Sequence, residues 1–191
     1  MTALRTKEVL LNEAEGLMRT RGYAAFSYAD LSSRVGIRKA SIHHHFPTKE
    51  ALGKSLIDGY LIRFEKALQD ILDEETNAVE RLRRYAKFFS ASMTGGMLPL
   101  CGALSAEMSA LPKSLQERVH DFFQLHLSWL RGVIEAGVGA GELRARTDVE
   151  DAATVMLSAL EGASLVAWAT GDAKAITRTV GYVIGSFEET K

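Results

Sequence analysis

The residues best suited to chemistry lie close together, in the stretch RKASIHHH at positions 38–45. If this stretch is helical, Ile42 and Phe46 share an apolar face because they are four residues apart. The basic and polar side chains that then face outward are Arg38, Lys39, Ser41, His44 and His45. Such a helix fits the major groove of double-stranded DNA, where cations hold phosphate oxygens and short polar side chains approach base edges. The stretch therefore favours DNA recognition.

A preceding helix would position this stretch. Ser27 is placed to cap a helix that begins at Tyr28, and Asp30 completes a start resembling a capping box, with its negative charge at the positive end of the helix dipole. The apolar side of this helix is predicted to be Ala29, Leu31 and Val35. The spacing predicts a first helix of about two turns.

The connection between the two helices carries its own signals. Gly36 permits the left-handed backbone of a sharp turn, and Ile37 is predicted to return to the core. The second helix is predicted over about 39–46, where Pro47 ends it. Two short helices joined by such a turn predict a helix-turn-helix.

The run LMRTRGYAAFSYADLSSRVGIRKASIHHHFPTKEALGKSLI resembles the N-terminal domain of TetR-type transcriptional repressors. The resemblance covers about a quarter of the chain and rests on these positions: Gly22, Tyr23, Ser27, Asp30, Leu31, Val35, Gly36, Ser41, Ile42, Phe46, Lys49, Glu50, Ala51 and Leu52. The chain departs from the family pattern at His43 and His44, where the family usually has Tyr, often followed by Tyr or His. The resemblance implies a repressor that binds DNA as a homodimer and responds to a small molecule.

The resemblance and the outward-facing residues together give the predicted DNA contacts. The side chains expected toward the groove are Arg38, Lys39, Ala40, Ser41, His43 and His44. Those expected toward phosphates are Ser27, Tyr28, His45 and Lys49. Residues 1–50 are expected to form the DNA-binding domain. Residues 51–191 are expected to form the effector-binding and dimerisation domain, joined to it through a long helix at about 48–73.

Composition and charge agree with a small regulator. The chain has 191 residues, of which 47% are hydrophobic, enough for a real core. Residues 1–50 carry eight Lys and Arg and five Asp and Glu, a net charge of +3, so the remainder carries −4 within the total of −1. A positively charged N-terminal part joined to a negatively charged remainder steers the N-terminal part toward DNA phosphates. A polar start, no apolar run of about 20 residues and a single cysteine predict a cytoplasmic protein outside the membrane.

Helical periodicity extends along the chain, and no alternating run is long enough to predict a strand, so the fold class is expected to be all-α. The first helix is predicted to bury Val9, Leu10, Ala14, Leu17 and Met18 and to end at Gly22. Beyond the long helix, further helices are predicted at about 77–93, 102–110, 113–138, 148–170 and 173–188. Thr147 or Asp148 is expected to cap the fourth of these, and Asp172 the fifth.

The last two predicted helices are apolar on more than one face, with small residues among the large ones. One chain can hardly bury all of this surface, which favours a two-fold interface between two copies, although an internal core of a monomer is the alternative. Two copies of the recognition helix on a two-fold axis predict a pseudo-palindromic operator.

The middle of the chain is rich in large, adaptable apolar residues, with a few polar ones interspersed. The residues alone favour a solid core over a ligand cavity, whereas the family resemblance reverses that preference. The residues expected to line an effector site are Phe89, Met93, Cys101, Leu104, His126 and Trp129. The expected effector is a small hydrophobic or carbonyl-type compound. As alternatives, Cys101 is a thiol that senses electrophiles, or the protein binds DNA constitutively.

Three further functions find little support in the sequence. His43, His44 and His45 are consecutive on a helix, so their side chains point about 100° apart and cannot close around one metal ion. The sequence has no nucleophile elbow, phosphate-binding glycine loop or zinc-protease helix, which argues against an enzyme. No cofactor and no metal site are expected.

Overall fold

Helices form nearly all of the computed structural model, which describes residues 3–94, 96–144 and 148–187. In chain order the elements are α1 (Ala3–Arg21), α2 (Tyr28–Val35), α3 (Lys39–His45), α4 (Lys49–Glu74), α5 (Ala78–Thr94), α6 (Leu100–Ser105), a 3₁₀ turn (Met108–Ala110), α7 (Lys113–Gly139), α8 (Val149–Thr170) and α9 (Lys174–Phe187). No strand occurs in these described ranges. The predicted all-α fold class is confirmed.

Side-chain caps explain where several of these helices begin. Thr48 Oγ1 accepts a hydrogen bond from the Ala51 amide at 3.0 Å, which fixes the start of α4. Asp148 Oδ1 accepts from the Glu150 amide at 2.8 Å and Asp172 Oδ1 from the Lys174 amide at 3.0 Å. The predicted caps of α8 and α9 are therefore confirmed for both aspartates. The alternative cap, Thr147, lies outside the described residues.

The prediction of one helix over 102–110 is wrong in its bounds. α6 ends at Ser105, and a separate 3₁₀ turn follows at Met108–Ala110. The backbone tightens here because the Glu107 amide donates to the Leu104 carbonyl at 3.0 Å, a bond three residues long, as in a 3₁₀ helix. Ser105 Oγ also donates to the Gly102 carbonyl at 2.8 Å and so occupies an acceptor near the helix end.

The described chain divides into two units. Unit 1 consists of residues 1–63 and 100–122, and unit 2 of residues 64–99 and 123–191, so α4 and α7 contribute to both. Unit 1 therefore contains the three N-terminal helices, α6, the 3₁₀ turn and the first part of α7. The predicted division after residue 50 separates DNA binding from effector binding and dimerisation, not two packing units, and it stays a prediction.

The apolar stripe of α4 changes face along the helix. Leu52 and Leu56 are buried in unit 1, and Phe64, Leu68 and Ile71 in unit 2. A side chain repeated every four residues advances about 400°, so a stripe at that spacing drifts about 40° per repeat. The buried position near the end of the helix is consequently Ile71, whereas Leu72, four residues after Leu68, is only half-buried.

α8 is the one helix among the described residues that is long and apolar enough to cross a membrane by length and composition, with a mean hydropathy of 1.4. It buries eight of its own residues, including Ala153, Met156 and Ala167, and packs against α5 and α9 within unit 2. The core helix of a water-soluble protein has the same properties, and this packing explains the apolar residues on the buried face of α8.

Candidate functional site

α2 and the turn after it form as the sequence predicts. The Ser27 hydroxyl accepts from the Ala29 and Asp30 amides, and the Asp30 carboxylate accepts from the Ser27 amide at 2.8 Å, which completes a capping box. Gly36 has φ 72° and ψ 30°, the left-handed conformation that the turn requires. The predicted apolar side is partly wrong, because Ala29 is exposed and Tyr28 is buried beside Leu31.

α3 presents an exposed face that starts with two cations. Ile42 is fully buried, while Arg38, Lys39, Ala40, Ser41, His43 and His44 are exposed and His45 is half-buried. Nearby Arg21 and Arg34 are paired with Asp30 and Glu13 at 3.6 and 2.8 Å. Arg38 and Lys39, in contrast, form no ion pair with any residue in the described part of the chain. Their charge is therefore available to an anionic partner.

A surface groove of about 560 Å³ runs beside α3. It is lined by Thr6, Ile37, Ala40, Ser41, His44 and His45. Four of these residues were predicted to contact DNA. The groove brings them together with Thr6 of α1, a neighbour that the local pattern around α3 does not indicate.

Tyr28 does not have the geometry of the predicted phosphate contact. Its hydroxyl donates to the Phe46 and Thr48 carbonyl oxygens, at 2.8 and 2.7 Å, and its ring contacts the His43 ring edge to face at 4.9 Å. Burial raises the pKa of Tyr28 to about 12. The hydroxyl is thus a neutral donor engaged inside the protein, where it fixes the end of α3 relative to α2.

The polar groups of Lys49 and Ser27 also bond to other groups of the protein. The Lys49 ammonium donates to the Phe26 carbonyl and lies over the Tyr23 and Phe26 rings, 4.5 and 4.4 Å from their centroids. Burial lowers the pKa of Lys49. The Ser27 hydroxyl donates to Asp30 at 2.6 Å while accepting from two amides. We therefore propose that these two residues, with Tyr28, position α2 and α3 rather than contact phosphates.

A carboxylate far along the chain joins this arrangement within unit 1. Glu107 Oε2 accepts from the Ala24 amide at 2.8 Å. Gly22, which ends α1 as predicted, has φ 87°, and a Cβ at that position would overlap Glu107 Oε1. Ser114 Oγ also donates to the Glu50 carboxylate at 2.5 Å. Glu107 was not predicted from the sequence, because nothing in the local pattern indicates a partner 83 residues away.

The predicted effector residues are distributed over both units. Phe89, His126 and Trp129 belong to unit 2, where the first two are 2% exposed. Cys101 and Leu104 belong to unit 1 and are fully buried. The Met93 side chain lies outside the described residues. Full burial is typical of a structural cysteine, because a sensing thiol must meet its reagent.

The buried polar groups of unit 2 surround Tyr85. The Tyr85 hydroxyl and His126 Nδ1 form a hydrogen bond, Phe64 stacks on His126 at 4.3 Å, and Trp129 stacks on Tyr85 at 5.2 Å. Burial lowers the pKa of His126 to about 3 and raises that of Glu161 on α8 to about 7. Neither Tyr85 nor Glu161 was singled out from the sequence, because a lone polar group amid apolar helix residues gives no pattern.

A second surface lies on α8 and α9. Large apolar side chains are exposed there, with exposed fractions of 55% for Val155, 50% for Leu165, 53% for Val166, 39% for Trp168 and 82% for Tyr182. An added Cβ at Gly162, Gly181 or Gly185 would meet no atom within 4 Å. This surface combines apolar side chains with positions where another helix can approach closely.

Comparison with known proteins covers both ends of the chain. Residues 10–56 match the family described as Bacterial regulatory proteins, tetR family, and residues 78–183 match Tetracyclin repressor-like, C-terminal domain. The HTH-type transcriptional repressor DhaR of Mycobacterium sp. (strain GP1) is 22% identical over 167 residues, which cover 86% of this chain and 83% of that protein.

Solved structures are similar over nearly the whole length. A transcriptional regulator of the TetR family from Agrobacterium tumefaciens has a TM-score of 0.95 and 29% identity, covering 98% of this chain and 100% of that chain. A TetR transcriptional regulator from Legionella pneumophila has a TM-score of 0.82 and 31% identity, covering 96% and 97%. The helix order and the helix-turn-helix are therefore shared with proteins of known class.

Proposed function

The chain belongs to the TetR family of bacterial regulatory proteins, which are non-enzymatic DNA-binding repressors that function as dimers, and from this premise we propose a ligand-responsive repressor. As a homodimer in the cytoplasm it binds a pseudo-palindromic operator, and a small-molecule effector releases it. Residues 1–50 bind DNA, and residues 51–191 bind the effector and the second copy.

The observation that carries this proposal is the exposed face of α3. Arg38 and Lys39 open the helix without an ion pair to any described residue, and Ala40 and Ser41 follow with side chains short enough to let the backbone approach a base pair. Ile42, on the opposite side, is fully buried and anchors the helix. We keep Ala40, Ser41, His43 and His44 toward the groove. Arg38 and Lys39, which the sequence placed toward the groove, are reassigned to the phosphates beside it, and half-buried His45 to the edge of the groove.

The apolar surface of α8 and α9 supports the proposed homodimer. Side chains of the size of Val155, Leu165 and Val166 are costly to leave in water, at roughly 25 cal/mol per Å² of apolar area. Pairing this surface with its symmetry mate would cover it. The two copies of α3 are then expected to reach major-groove faces separated by about 34–36 Å on the same side of the duplex.

The proposed effector is a small hydrophobic or carbonyl-type compound that binds in residues 51–191. Within unit 2, the aromatic and polar cluster of Phe89, His126 and Trp129 supports such a site. The thiol-sensing alternative is weakened because Cys101 is fully buried. The constitutive alternative predicts that DNA affinity is the same with and without any compound.

The test begins with the DNA fragments that the purified protein retains from the source genome. Affinity for a retained fragment is then measured by fluorescence anisotropy at several salt concentrations, for the wild type, Lys39→Ala and Lys87→Ala. Lys87 on α5 is an exposed lysine in unit 2, so its replacement is a matched change of charge.

We expect Lys39→Ala to weaken binding and to reduce the slope of log K against log salt by about two, for one lost phosphate contact in each protomer. Lys87→Ala should leave the slope unchanged. Equal effects of the two variants, or retention of no fragment, would contradict the proposed interface.

A further inference from the structure

Two buried polar atoms in unit 2 have no hydrogen-bond partner within the described ranges: Trp129 Nε1 and Glu161 Oε1. Buried polar groups in proteins are almost always bonded, because each unbonded group costs its full desolvation energy. A pair of such atoms in one neighbourhood therefore requires a reason. Binding of a ligand that supplies the missing partners is a functional one.

Both atoms belong to side chains that neighbour Tyr85. The Trp129 ring stacks on the Tyr85 ring with centroids 5.2 Å apart and planes 20° from parallel. The charge of Glu161 acts on the Tyr85 hydroxyl and, after burial, is the second cause of its raised pKa. The geometry agrees, because α5, which carries Tyr85, packs against α8, which carries Glu161, and Phe89 of α5 adds a further ring at 5.6 Å from Tyr85.

The hydrogen-bonding capacity of Trp129 and Glu161 indicates which head group of a ligand would fit them. The Trp129 N–H is a donor only, so it requires an acceptor, and the Glu161 carboxyl can accept or, when protonated, donate. One hydroxyl meets both demands, because it accepts from Trp129 and donates to Glu161. The surrounding aromatic faces suit a flat apolar skeleton.

The charges of the cluster disfavour an anionic head group. The titratable side chains that meet here are Tyr85 from α5, His126 from α7 and Glu161 from α8. His126 is neutral at physiological pH because burial lowers its pKa to about 3. A carboxylate or phosphate ligand would therefore be buried beside an acidic side chain without a cation from these three residues.

We propose that Trp129 and Glu161, packed around Tyr85, form the head-group subsite for an uncharged, hydroxyl-bearing aromatic ligand. This inference rests on the proposed function, since it names the chemical class of the effector. It adds Tyr85 and Glu161 to the predicted effector residues.

Three probes that share one skeleton test the head group: 4-ethylphenol, 4-ethylbenzoate and 4-ethylbenzylamine. Their dissociation constants for the intact protein are measured by isothermal titration calorimetry at pH 7. We expect 4-ethylphenol to bind at least tenfold more tightly than either charged probe. Tighter binding of the benzoate, tighter binding of the amine, or no binding of any probe would overturn the proposal.

Variants test the two named partners. Trp129→Phe keeps an aromatic ring but removes the N–H donor, and Glu161→Leu removes the carboxyl, so each should weaken 4-ethylphenol binding roughly two- to tenfold. Glu135→Leu makes the same change as Glu161→Leu at an exposed site on α7 in unit 2 and should have no effect. Equal affinities of Glu161→Leu and Glu135→Leu for 4-ethylphenol would refute the assignment, and the probe ranking on the wild type remains decisive if a variant does not fold.

The outcome is separable from that of the proposed function. If 4-ethylphenol binds as expected but leaves DNA affinity unchanged, the subsite stands and the proposed release of DNA by an effector fails. If the protein binds its DNA specifically but binds no probe, the head-group assignment fails and the DNA-binding function stands.

Discussion

Replacing Gly22 with alanine tests how α1 is joined to the 3₁₀ turn region within unit 1. Gly22 has φ 87°, and an added Cβ would overlap the Glu107 carboxylate that accepts from the Ala24 amide. Gly36 provides a matched control, because it has φ 72° but no atom lies within 4 Å of an added Cβ. The two substitutions therefore share the backbone cost and differ in the collision.

The magnitudes follow from these contacts. A left-handed conformation costs an L residue about 1–2 kcal/mol, which is the whole effect expected for Gly36→Ala. Gly22→Ala also displaces Glu107 and breaks its hydrogen bond to Ala24. Bonds to charged groups contribute about 1.5–3 kcal/mol, and the lower end applies because Ala24 is exposed. Gly22→Ala should thus lower the free energy of unfolding by about 1.5 kcal/mol more than Gly36→Ala.

Urea denaturation of the intact protein measures these free energies, at one fixed protein concentration because dimerisation contributes to stability. The double variant Gly22→Ala with Glu107→Ala removes the carboxylate that the new methyl group would strike. It should be less destabilised than the sum of the single variants by about 1.5 kcal/mol. Equal losses from the two glycine variants, together with an additive double variant, would refute the reasoning.

Three other changes have equally definite outcomes. Ser27→Ala removes the cap of α2 and should lower the free energy of unfolding by about 1 kcal/mol in urea melts. Hydrogen bonds from Ser27 lower the pKa of Asp30. The stability that comes from these bonds to the ionised carboxylate is present above about pH 4 and is lost as pH falls through the lowered pKa of Asp30. Burial raises the pKa of Glu161 to about 7 from 4.5, so unfolding releases a proton between these values and stability falls as pH rises. In the wild type the free energy of unfolding should fall by roughly 3 kcal/mol as this proton is lost, and Glu161→Gln should abolish that fall. The difference in free energy of unfolding between wild type and variant, measured at each pH, tests this. Leu165→Glu should dissociate the dimer in analytical ultracentrifugation, whereas Leu4→Glu, at a residue 77% exposed on α1, should not.

Local signals in the sequence were sufficient for the helix-turn-helix. The cap at Ser27, the turn at Gly36 and the buried Ile42 each depend on residues within a few positions, where spacing and backbone preference act directly. The same residues could not reveal that Tyr28 and Lys49 turn inward. A tyrosine or lysine next to a DNA-binding helix can reach a phosphate or a nearby carbonyl, and the choice depends on how the turn at 46–48 folds back.

Contacts distant in sequence account for the remaining differences. Glu107 meets Ala24 because α6, which ends just before it, packs against α1. Nothing in the sequence around Glu161 distinguishes it, because the burial that raises its pKa depends on how α8 packs in the folded protein. In α4 the long helix was predicted correctly, but the drift of its apolar face, which buries Ile71 rather than Leu72, depends on what packs against it.

The central claim is that the exposed face of α3 contacts the base pairs of an operator. A photo-crosslinking amino acid placed at position 40, on α3, and at position 62, exposed on α4, tests it with DNA that the protein retains. We expect crosslinks from position 40 at two sites one helical turn apart on the duplex, and none from position 62. Crosslinks from position 62 without any from position 40 would contradict the account.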